Sequence, residues 1–343
     1  MNMKAVRIHR HGGIDVLKYE DVAIPQIANN QCLVKIRAAA LNHLDIWVRK
    51  GIPGVPLPMI MGSDGAGVIE QVDREVSEFS IGDKVLIQPL TYCGKCRWCK
   101  QNKENYCEKW GIFGENQDGT QCEYMAINAD HLRIIPKGMS FEEAAAFPLV
   151  AETAYAMLID RANIRQGETV FVWGASSGVG SMAIQIAKAL GCKVLTTVGN
   201  TQKGDFAKKL GADIIVNYKA DDIIAIVKEY TNKQGVDVVV EHVGTKTWET
   251  SLWILGKGGR VVTCGATTGS EAKFDIRRLF YKQQSLLGST MGNVNSLEKA
   301  LAMYRNGDIR PFVDTSFKMS EIKEAHKYLE NGNQIGKVIV IPN

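Results

Sequence analysis

A glycine-rich turn between a β-rich run and an amphipathic segment constrains the fold of this chain more than any other feature. Residues 169–173 are β-branched or aromatic, and they lead into the turn at 174–180, GASSGVG. Apolar residues then recur at helical spacing as far as Gly191, a residue that typically ends a helix. A strand, a glycine turn and a helix in this order predict one half of a dinucleotide-binding fold.

The small residues of this turn would let a phosphate group approach the backbone closely. The N–H groups and the dipole at a helix start favour negative charge there. The spacing is G-x-x-x-G-x-G rather than G-x-G-x-x-G, and such glycines also occur in plain βα turns. We predict a cofactor cradle because strands and helices continue to alternate beyond the turn. Its candidate residues are Ser176, Gly178, Val179 and Gly180.

The alternation predicts an α/β fold with a doubly wound parallel sheet. The predicted strands are 169–173, 193–198, 213–216, 236–240, 260–264 and 286–291, and the predicted helices lie near 179–190, 202–210, 221–231 and 246–255. Beyond them we expect helices near 294–305 and 320–331 and a closing strand at 337–341. This tail is expected to return to the N-terminal part of the chain.

The first 90 residues have a β-rich pattern instead. Short strands are predicted at 5–8, 32–38, 66–72 and 84–88, separated by turns of Gly, Pro, Asp and Asn, which indicates a compact barrel-like module. Residues 119–127 and 131–135 continue it. A helical segment at 144–158 is interrupted at Pro148, which suggests a domain boundary.

Composition excludes several classes of protein. The chain has 343 residues, of which 45% are hydrophobic and 23% charged, as in an ordinary globular protein of about two domains. No apolar run approaches the ~20 residues of a membrane span. The N-terminus has no signal-peptide pattern, and the net charge of +4 is mild and dispersed. We therefore expect a cytoplasmic protein with neither membrane nor nucleic acid as a partner.

Four of the eight cysteines are crowded into one short segment. They are Cys93, Cys96, Cys99 and Cys107. Four thiolates this close can hold one tetrahedral Zn²⁺ with no open position, which predicts one structural zinc ion per chain. Two disulfides are the alternative, and the expected cytoplasmic location disfavours them. The other four cysteines are scattered, and we interpret them as buried small apolar residues.

Taken together, these features resemble the medium-chain dehydrogenase/reductase superfamily over nearly the whole chain. The β module, the cysteine lobe, the glycine turn and the returning tail follow that family's order. The resemblance implies a GroES-like β-barrel catalytic domain at 1–150 with the zinc lobe at 93–107, a Rossmann dinucleotide-binding domain at 151–293, and a return to the catalytic domain at 294–343. Members often dimerise through the last cofactor-domain strand, so a homodimer or homotetramer is expected.

Zinc alcohol dehydrogenases of this family hold a second, catalytic zinc ion. Its ligands are a Cys in a C-x-x-D stretch, a His in a G-H-E stretch and a group just before the dinucleotide domain. Here Asn42 and Ser63 stand at the first two positions, and residues 148–151, PLVA, contain no thiol. Amide, hydroxyl and aliphatic side chains cannot supply the three protein ligands that such a site needs. We therefore predict that the catalytic zinc has been lost.

Asn42, Asp64 and the glycine turn resemble the quinone oxidoreductase and enoyl reductase branch, which usually lacks the cysteine lobe. This implies an oxidoreductase that transfers a hydride to a small carbonyl, enone or quinone substrate. Asn42 is predicted to donate a hydrogen bond to the developing enolate oxygen, while Asp45 and Asp64 orient it.

Three other interpretations remain open. One is an alcohol dehydrogenase with an atypical zinc site of His43, Asp64 and Glu152. A second is a nucleotide-binding protein with little turnover. In the third, Asp64 has only a structural role, in which its carboxylate connects a turn to Arg49 or Lys50.

The cofactor is predicted to be NADPH. The second strand of the sheet ends at Val198 with no acid that would repel a 2′-phosphate, and Asn200 and Lys203 follow. Tyr218 lies at the end of the third strand. In the quinone oxidoreductase branch, a Lys and a Tyr at matching positions hold that phosphate, and a cation and a phenol suit it chemically. By resemblance, the nicotinamide would be lined by Thr153, Gly265, Ala266 and Ser289.

Overall fold

The computed structural model describes residues 1–343 and consists of two compact units. Unit 1 contains Met1–Leu149 and Pro311–Asn343, and unit 2 contains Val150–Arg310. The strands are β1 (Asn2–Ile8), β2 (Lys18–Ala23), β3 (Gln31–Leu41), β4 (Met59–Ile60), β5 (Asp64–Val72), β6 (Lys84–Ile87), β7 (Leu90–Thr91), β8 (Gly111–Ile112), β9 (Tyr124–Asn128), β10 (Leu132–Ile134), β11 (Thr169–Val172), β12 (Lys193–Val198), β13 (Ile214–Asn217), β14 (Val236–Glu241), β15 (Leu255–Thr263), β16 (Ser285–Gly288), β17 (Val313–Lys318) and β18 (Lys337–Ile341).

Most of the α-helices lie in unit 2. They are α1 (His43–Lys50), α2 (Phe141–Ala146), α3 (Pro148–Tyr155), α4 (Gly178–Ala189), α5 (Thr201–Lys209), α6 (Ile223–Tyr230), α7 (Trp248–Ile254), α8 (Ile276–Tyr281), α9 (Val294–Asn306) and α10 (Ile322–Glu330). Helix α2 begins with a capping box, in which Glu143 N–H donates to Ser140 Oγ at 3.1 Å and Ser140 N–H donates to Glu143 Oε2 at 3.0 Å. No helix is long and apolar enough to cross a lipid bilayer.

Unit 1 is built around β3. This strand pairs with β5, β9 and β18, and the largest sheet runs in the order β10-β6-β5-β3-β18-β17. Its ladder ends at β10 and β17 and does not close into a ring, so the predicted barrel is open. Apolar side chains from both ends of the chain share one core, which includes Ile8, Val34, Ile36, Ile69 and Val340. The closing strand β18 is therefore an integral part of the first module.

Unit 2 is a doubly wound α/β layer. Its six strands are all parallel and lie in the order β13-β12-β11-β14-β15-β16. The strand order reverses between β11 and β14, the point at which such sheets bind their ligands. Apolar runs such as Val238–Val240 are fully buried, as expected for strands covered on both faces. The predicted Rossmann fold is confirmed.

The chain returns to unit 1 later than the sequence suggested. Helix α9 belongs to unit 2, where Ser296 Oγ donates to Asp160 Oδ2 at 2.8 Å, and Arg310 N–H donates to Gln185 Oε1 at 2.9 Å. The return therefore begins at Pro311 rather than at residue 294. Strand β17 and helix α8 were not predicted, because both are short and lack a clean apolar period.

Candidate functional site

The glycine turn lies in unit 2 between β11 and α4. Gly174 has a φ of +65°, which favours glycine, and its N–H donates to Thr197 Oγ1 at 3.0 Å. Ser177 begins the helix, with its Oγ accepting the Gly180 N–H at 2.9 Å. Ser176, Gly178 and Val179 are half-buried at this helix start. The turn thus presents backbone N–H groups at the carboxyl end of the sheet, where a pyrophosphate would bind.

Gly180 leaves no room for a side chain next to the turn. A Cβ at this position would stand 2.2 Å from Gly174 O and 2.7 Å from Ser177 Oγ. The close approach of helix and turn therefore requires a hydrogen atom in place of a side chain. The backbone of this segment fits a nucleotide cradle.

His242 is a residue of this region that the sequence analysis missed. Its Nε2 lies 2.8 Å from Trp173 O and 3.4 Å from Ser177 Oγ, and a Cβ at Gly174 would meet its ring at 3.4 Å. Burial lowers the pKa of His242, so the neutral ring is favoured. A Cβ at Gly265 would lie 3.2 Å from His242 O, so the predicted residue Gly265, followed by the exposed Ala266, adjoins the same strand ends.

Asn200 and Tyr218 lie beside the end of β12, the second strand of the unit 2 sheet in chain order. Asn200 Oδ1 accepts the Lys203 N–H at 2.9 Å and so begins α5. Tyr218 is 53% exposed, and its hydroxyl oxygen is 2.7 Å from the place of a Cβ on Gly199. The predicted residues Asn200, Lys203 and Tyr218 thus gather beside an acid-free strand end.

Two predicted nicotinamide-lining residues carry buried hydroxyl groups that lack a hydrogen-bond partner. These are Thr153 Oγ1, on a side chain that is 4% exposed, and Ser289 Oγ. Gly292 packs so closely on Glu152 that a Cβ would lie 2.6 Å from Glu152 O, which places the chain after Ser289 next to α3. Unpaired buried hydroxyls are costly, and a ligand with polar groups would satisfy them. The carboxamide of a nicotinamide has such polar groups.

Three neighbouring strand ends of unit 1 bring the predicted catalytic residues together. Ala40 on β3 is opposite Asp64 on β5, and Leu41 is opposite Val338 on β18. Asn42 therefore follows β3 between the beginnings of two partner strands. The residue that precedes Val338 is Lys337, which the sequence analysis did not consider.

The side chains at these strand ends form one buried polar cluster. Asn42 Nδ2 donates to Asp64 Oδ2 at 2.9 Å. Lys337 Nζ donates to Asp64 Oδ2 at 3.0 Å and also to Asn42 Oδ1. The exposed fractions of Asn42, Asp64 and Lys337 are 8%, 0% and 4%. Leu149 N–H completes the carboxylate's environment by donating to Asp64 Oδ1 at 2.9 Å.

Asp45 stabilises this cluster through hydrogen bonds. Its Oδ2 accepts the Asn42 backbone N–H at 2.7 Å, and its Oδ1 accepts from Gln121 Nε2 at 3.3 Å. Burial raises the pKa of Asp45 to about 7, although the Asn42 N–H and the Lys337 charge oppose this rise. Asp45 is 2% exposed and therefore fixes the beginning of α1 rather than facing a ligand.

Asp64 is not tied to Arg49 or Lys50, as one interpretation had it. Those two side chains bind Glu330 on α10 instead, at 2.7 Å and 2.8 Å. The difference arises because β5 places Asp64 next to β18, whereas Arg49 lies at the far end of α1. Lys337 is the cation that neutralises Asp64.

The cysteine lobe offers a metal site within unit 1. The four sulfur atoms of Cys93, Cys96, Cys99 and Cys107 all lie within 4.8 Å of one another, and Cys96 Sγ is 3.6 Å from Cys99 Sγ. Sulfur atoms that bind one Zn²⁺ tetrahedrally, with Zn–S bonds of ~2.3 Å, are expected to lie about 3.8 Å apart. Backbone N–H groups of Cys93 and Lys109 donate to Cys107 Sγ, both at 3.3 Å, as thiolate ligands require. The donor set fits one structural Zn²⁺, and no other cluster of three or more metal-binding side chains occurs in either unit.

The fold and the two sites define the class: an enzyme that pairs a GroES-like module with a Rossmann dinucleotide-binding sheet. The sequence profile of the alcohol dehydrogenase GroES-like domain matches residues 28–137, and that of zinc-binding dehydrogenases matches residues 178–306.

Relatives of the chain match almost its whole length. Acryloyl-coenzyme A reductase of Metallosphaera sedula is 32% identical over 98% of this chain and 99% of its own length. A quinone oxidoreductase of Pongo abelii is 31% identical over 99% and 98%. A solved NAD-dependent alcohol dehydrogenase is 39% identical, covers 99% of this chain and 100% of its own, and superimposes with a TM-score of 0.96. The protein belongs to the medium-chain dehydrogenase/reductase superfamily.

Proposed function

We propose that this protein is an NADPH-dependent reductase that transfers a hydride to an activated C=C bond or a quinone without a catalytic metal. The observation that carries the proposal is the buried cluster of Asn42, Asp64 and Lys337. The amide, carboxylate and ammonium groups of these residues lie at strand ends where zinc enzymes need metal ligands. The relatives named as acryloyl-coenzyme A reductase and quinone oxidoreductase support the same reaction class.

The cluster does not suit a catalytic zinc ion. The side chain of Asn42 is already bonded to Lys337 and Asp64, and the buried Ser63 offers only a hydroxyl. A Zn²⁺ about 4 Å from the Lys337 ammonium would be repelled by roughly 8 kcal/mol at an effective dielectric constant of 20. The atypical ligand set with His43 would meet the same obstacle at Asp64.

When bound, the nicotinamide ring supplies the hydride. Backbone N–H groups after Trp173 would hold the pyrophosphate, with Thr153 and Ser289 near the ring. Asn42 Nδ2 carries a second hydrogen besides the one donated to Asp64, and we assign it to the substrate oxygen on which negative charge develops. Asp45 and Asp64 are buried and hydrogen-bonded, so the proton that completes the reduction is assigned to water.

The test is a turnover screen on the purified protein. NADPH and NADH oxidation are followed with enones, quinones and aldehydes, and the zinc content is measured on the same sample. We expect NADPH oxidation with an enone or a quinone and one zinc ion per chain. NADPH binding without turnover on the whole panel would contradict the proposal and support a nucleotide-binding protein.

An alcohol dehydrogenase is the second candidate, favoured by the name of the solved structure that is 39% identical. It requires a Lewis acid at the substrate oxygen, and therefore a second metal ion. Two zinc ions per chain together with alcohol oxidation by NAD⁺ would establish this candidate and reject the reductase.

We expect Lys203→Ala to weaken NADPH binding selectively. A charge-assisted hydrogen bond contributes about 1.5–3 kcal/mol, so the Kd for NADPH should rise by about tenfold to a hundredfold. NADH lacks the 2′-phosphate, and its Kd should not change. Fluorescence titration measures both, and Lys208→Ala, in the last turn of the same helix, is the matched control. An equal effect on both nucleotides would contradict the NADPH assignment.

We propose that the cysteine lobe holds one structural zinc ion. Replacing Cys96 by Ser should remove that ion and lower the Tm by at least ~5 °C, because structural zinc contributes several kcal/mol to folding. NADPH binding in unit 2 should persist. The matched control is Cys192→Ser, a buried thiol in unit 2. Elemental analysis and thermal unfolding give the readouts, and full zinc content in Cys96→Ser would refute the site.

We propose a homodimer or homotetramer formed through the free edge of the unit 2 sheet. Strand β16 pairs only with β15, and the neighbouring α8 exposes Ile276 by 68%, Phe280 by 65% and Tyr281 by 82%. Unpaired edges flanked by apolar side chains favour association. Phe280→Asp should yield an assembly half the wild-type size in light scattering, whereas Ile81→Asp, at a 71% exposed residue of unit 1, should not. A wild-type monomer would contradict the assignment.

A further inference from the structure

Lys337 reaches the cluster only because of strand pairing. It lies 295 residues from Asn42 in the chain, and the antiparallel register of β18 on β3 places the two side by side. Lysine is rarely buried unless its charge is paired, and here the partner is the fully buried Asp64. Breaking such a pair on one side is costly, so this arrangement is a rigid part of unit 1.

The two ionic partners fix which way the Asn42 amide faces. A lysine ammonium can only donate hydrogen bonds, and an ionised carboxylate can only accept them. Asn42 touches both, so its Oδ1 must face Lys337 and its Nδ2 must face Asp64. An asparagine between neutral partners could adopt either orientation. The second Nδ2 hydrogen is therefore held in one direction.

We propose that the Lys337–Asp64 ion pair is a positioning device, which keeps an N–H group of Asn42, and not its carbonyl oxygen, presented to the substrate. This inference rests on the proposed function, because it assigns that N–H to the oxygen of a carbonyl-bearing acceptor. Neither ionic partner touches the substrate. The pair also has no net charge, so it does not oppose the negative charge that develops on the substrate oxygen.

Both carboxylate oxygens of Asp64 accept hydrogen bonds in this arrangement. Its Oδ2 accepts from Asn42 and Lys337, and its Oδ1 accepts from Leu149 N–H. The backbone of Asn42 is held separately, by Asp45. Side chain and backbone of the donor are thus fixed from different directions, as a preorganised hydrogen-bond donor requires.

The test replaces both charges while retaining a polar pair. In Asp64→Asn/Lys337→Gln, each new amide can donate as well as accept, so these two residues no longer impose the direction of the Asn42 amide, and no unpaired charge is buried. We expect kcat to fall by about tenfold to a hundredfold, as for a misplaced catalytic group. The Kd for NADPH should stay unchanged. A weakened Kd with normal kcat would overturn the proposal and assign Lys337 to cofactor binding.

A double-mutant cycle shows whether the pair acts through Asn42. In an Asn42→Ala background, removing the ion pair should cause no further loss of kcat. Independent, multiplying losses would overturn the proposal, because they would mean that the charges act on the substrate directly or only on the fold.

Selective ¹⁵N-asparagine labelling gives a readout that does not depend on turnover. The Asn42 side-chain signals are identified by their absence in Asn42→Ala. We expect two distinct, exchange-protected N–H protons in the wild type and their averaging or loss in Asp64→Asn/Lys337→Gln. Protected signals without any turnover would reject the proposed function alone. Unchanged signals in the variant would reject the positioning role alone.

Discussion

Asn42→Ala should lower kcat for enone or quinone reduction by about 100- to 1000-fold, the cost of removing one preorganised donor to an oxyanion. The variant should fold, because Lys337 and Asp64 remain paired with each other at 3.0 Å. NADPH binding should be retained, since the glycine turn lies in unit 2. Steady-state kinetics and a nucleotide titration measure the two effects separately.

Asn42→Asp tests the hydrogen-bond donor role of Asn42 more specifically than Asn42→Ala. It keeps the shape of the side chain and removes the donor hydrogens, so kcat should fall at least as far as in Asn42→Ala. The matched control is Asn331→Ala, at the exposed end of α10 in the same unit, which should behave as the wild type. Wild-type kcat in Asn42→Ala would rule out this residue as the donor.

Gly180→Ala is expected to have the second large effect. The added methyl group would stand 2.2 Å from Gly174 O, and a backbone carbonyl cannot move away without displacing the turn from α4. Overpacking of this kind costs about 2 kcal/mol or more, which corresponds to a rise of ~30-fold or more in the Kd for NADPH. Isothermal titration with NADPH measures it.

Gly204→Ala provides the control for that change. A Cβ at Gly204 in α5 would meet its nearest neighbours at 3.9 Å, which is an ordinary contact. Since alanine favours helix formation over glycine by about 1 kcal/mol, this variant should be at least as stable as the wild type. Equal NADPH affinity in the wild type and Gly180→Ala would show that the nucleotide does not rest on this turn.

Local patterns were enough to predict most of unit 2. The glycine turn, the apolar helix that follows it and the alternating strands are each encoded within a few tens of residues, and the parallel sheet of unit 2 contains all six predicted strands. The cysteine cluster could also be predicted from the sequence, since its four thiols lie within 15 positions, from Cys93 to Cys107. Short elements such as β17 and α8 were missed because a few residues cannot establish a period.

The sequence by itself determined the fold class, the candidate nucleotide cradle, the four-thiol lobe and the prediction that Asn42 and Ser63 stand in place of metal ligands. Only the tertiary structure brought Lys337 to Asn42 and Asp64, and set His242 against the glycine turn. The physical reason is that strand register is fixed by the burial of whole strands against one another. Contacts between residues 295 positions apart leave no local pattern in the chain.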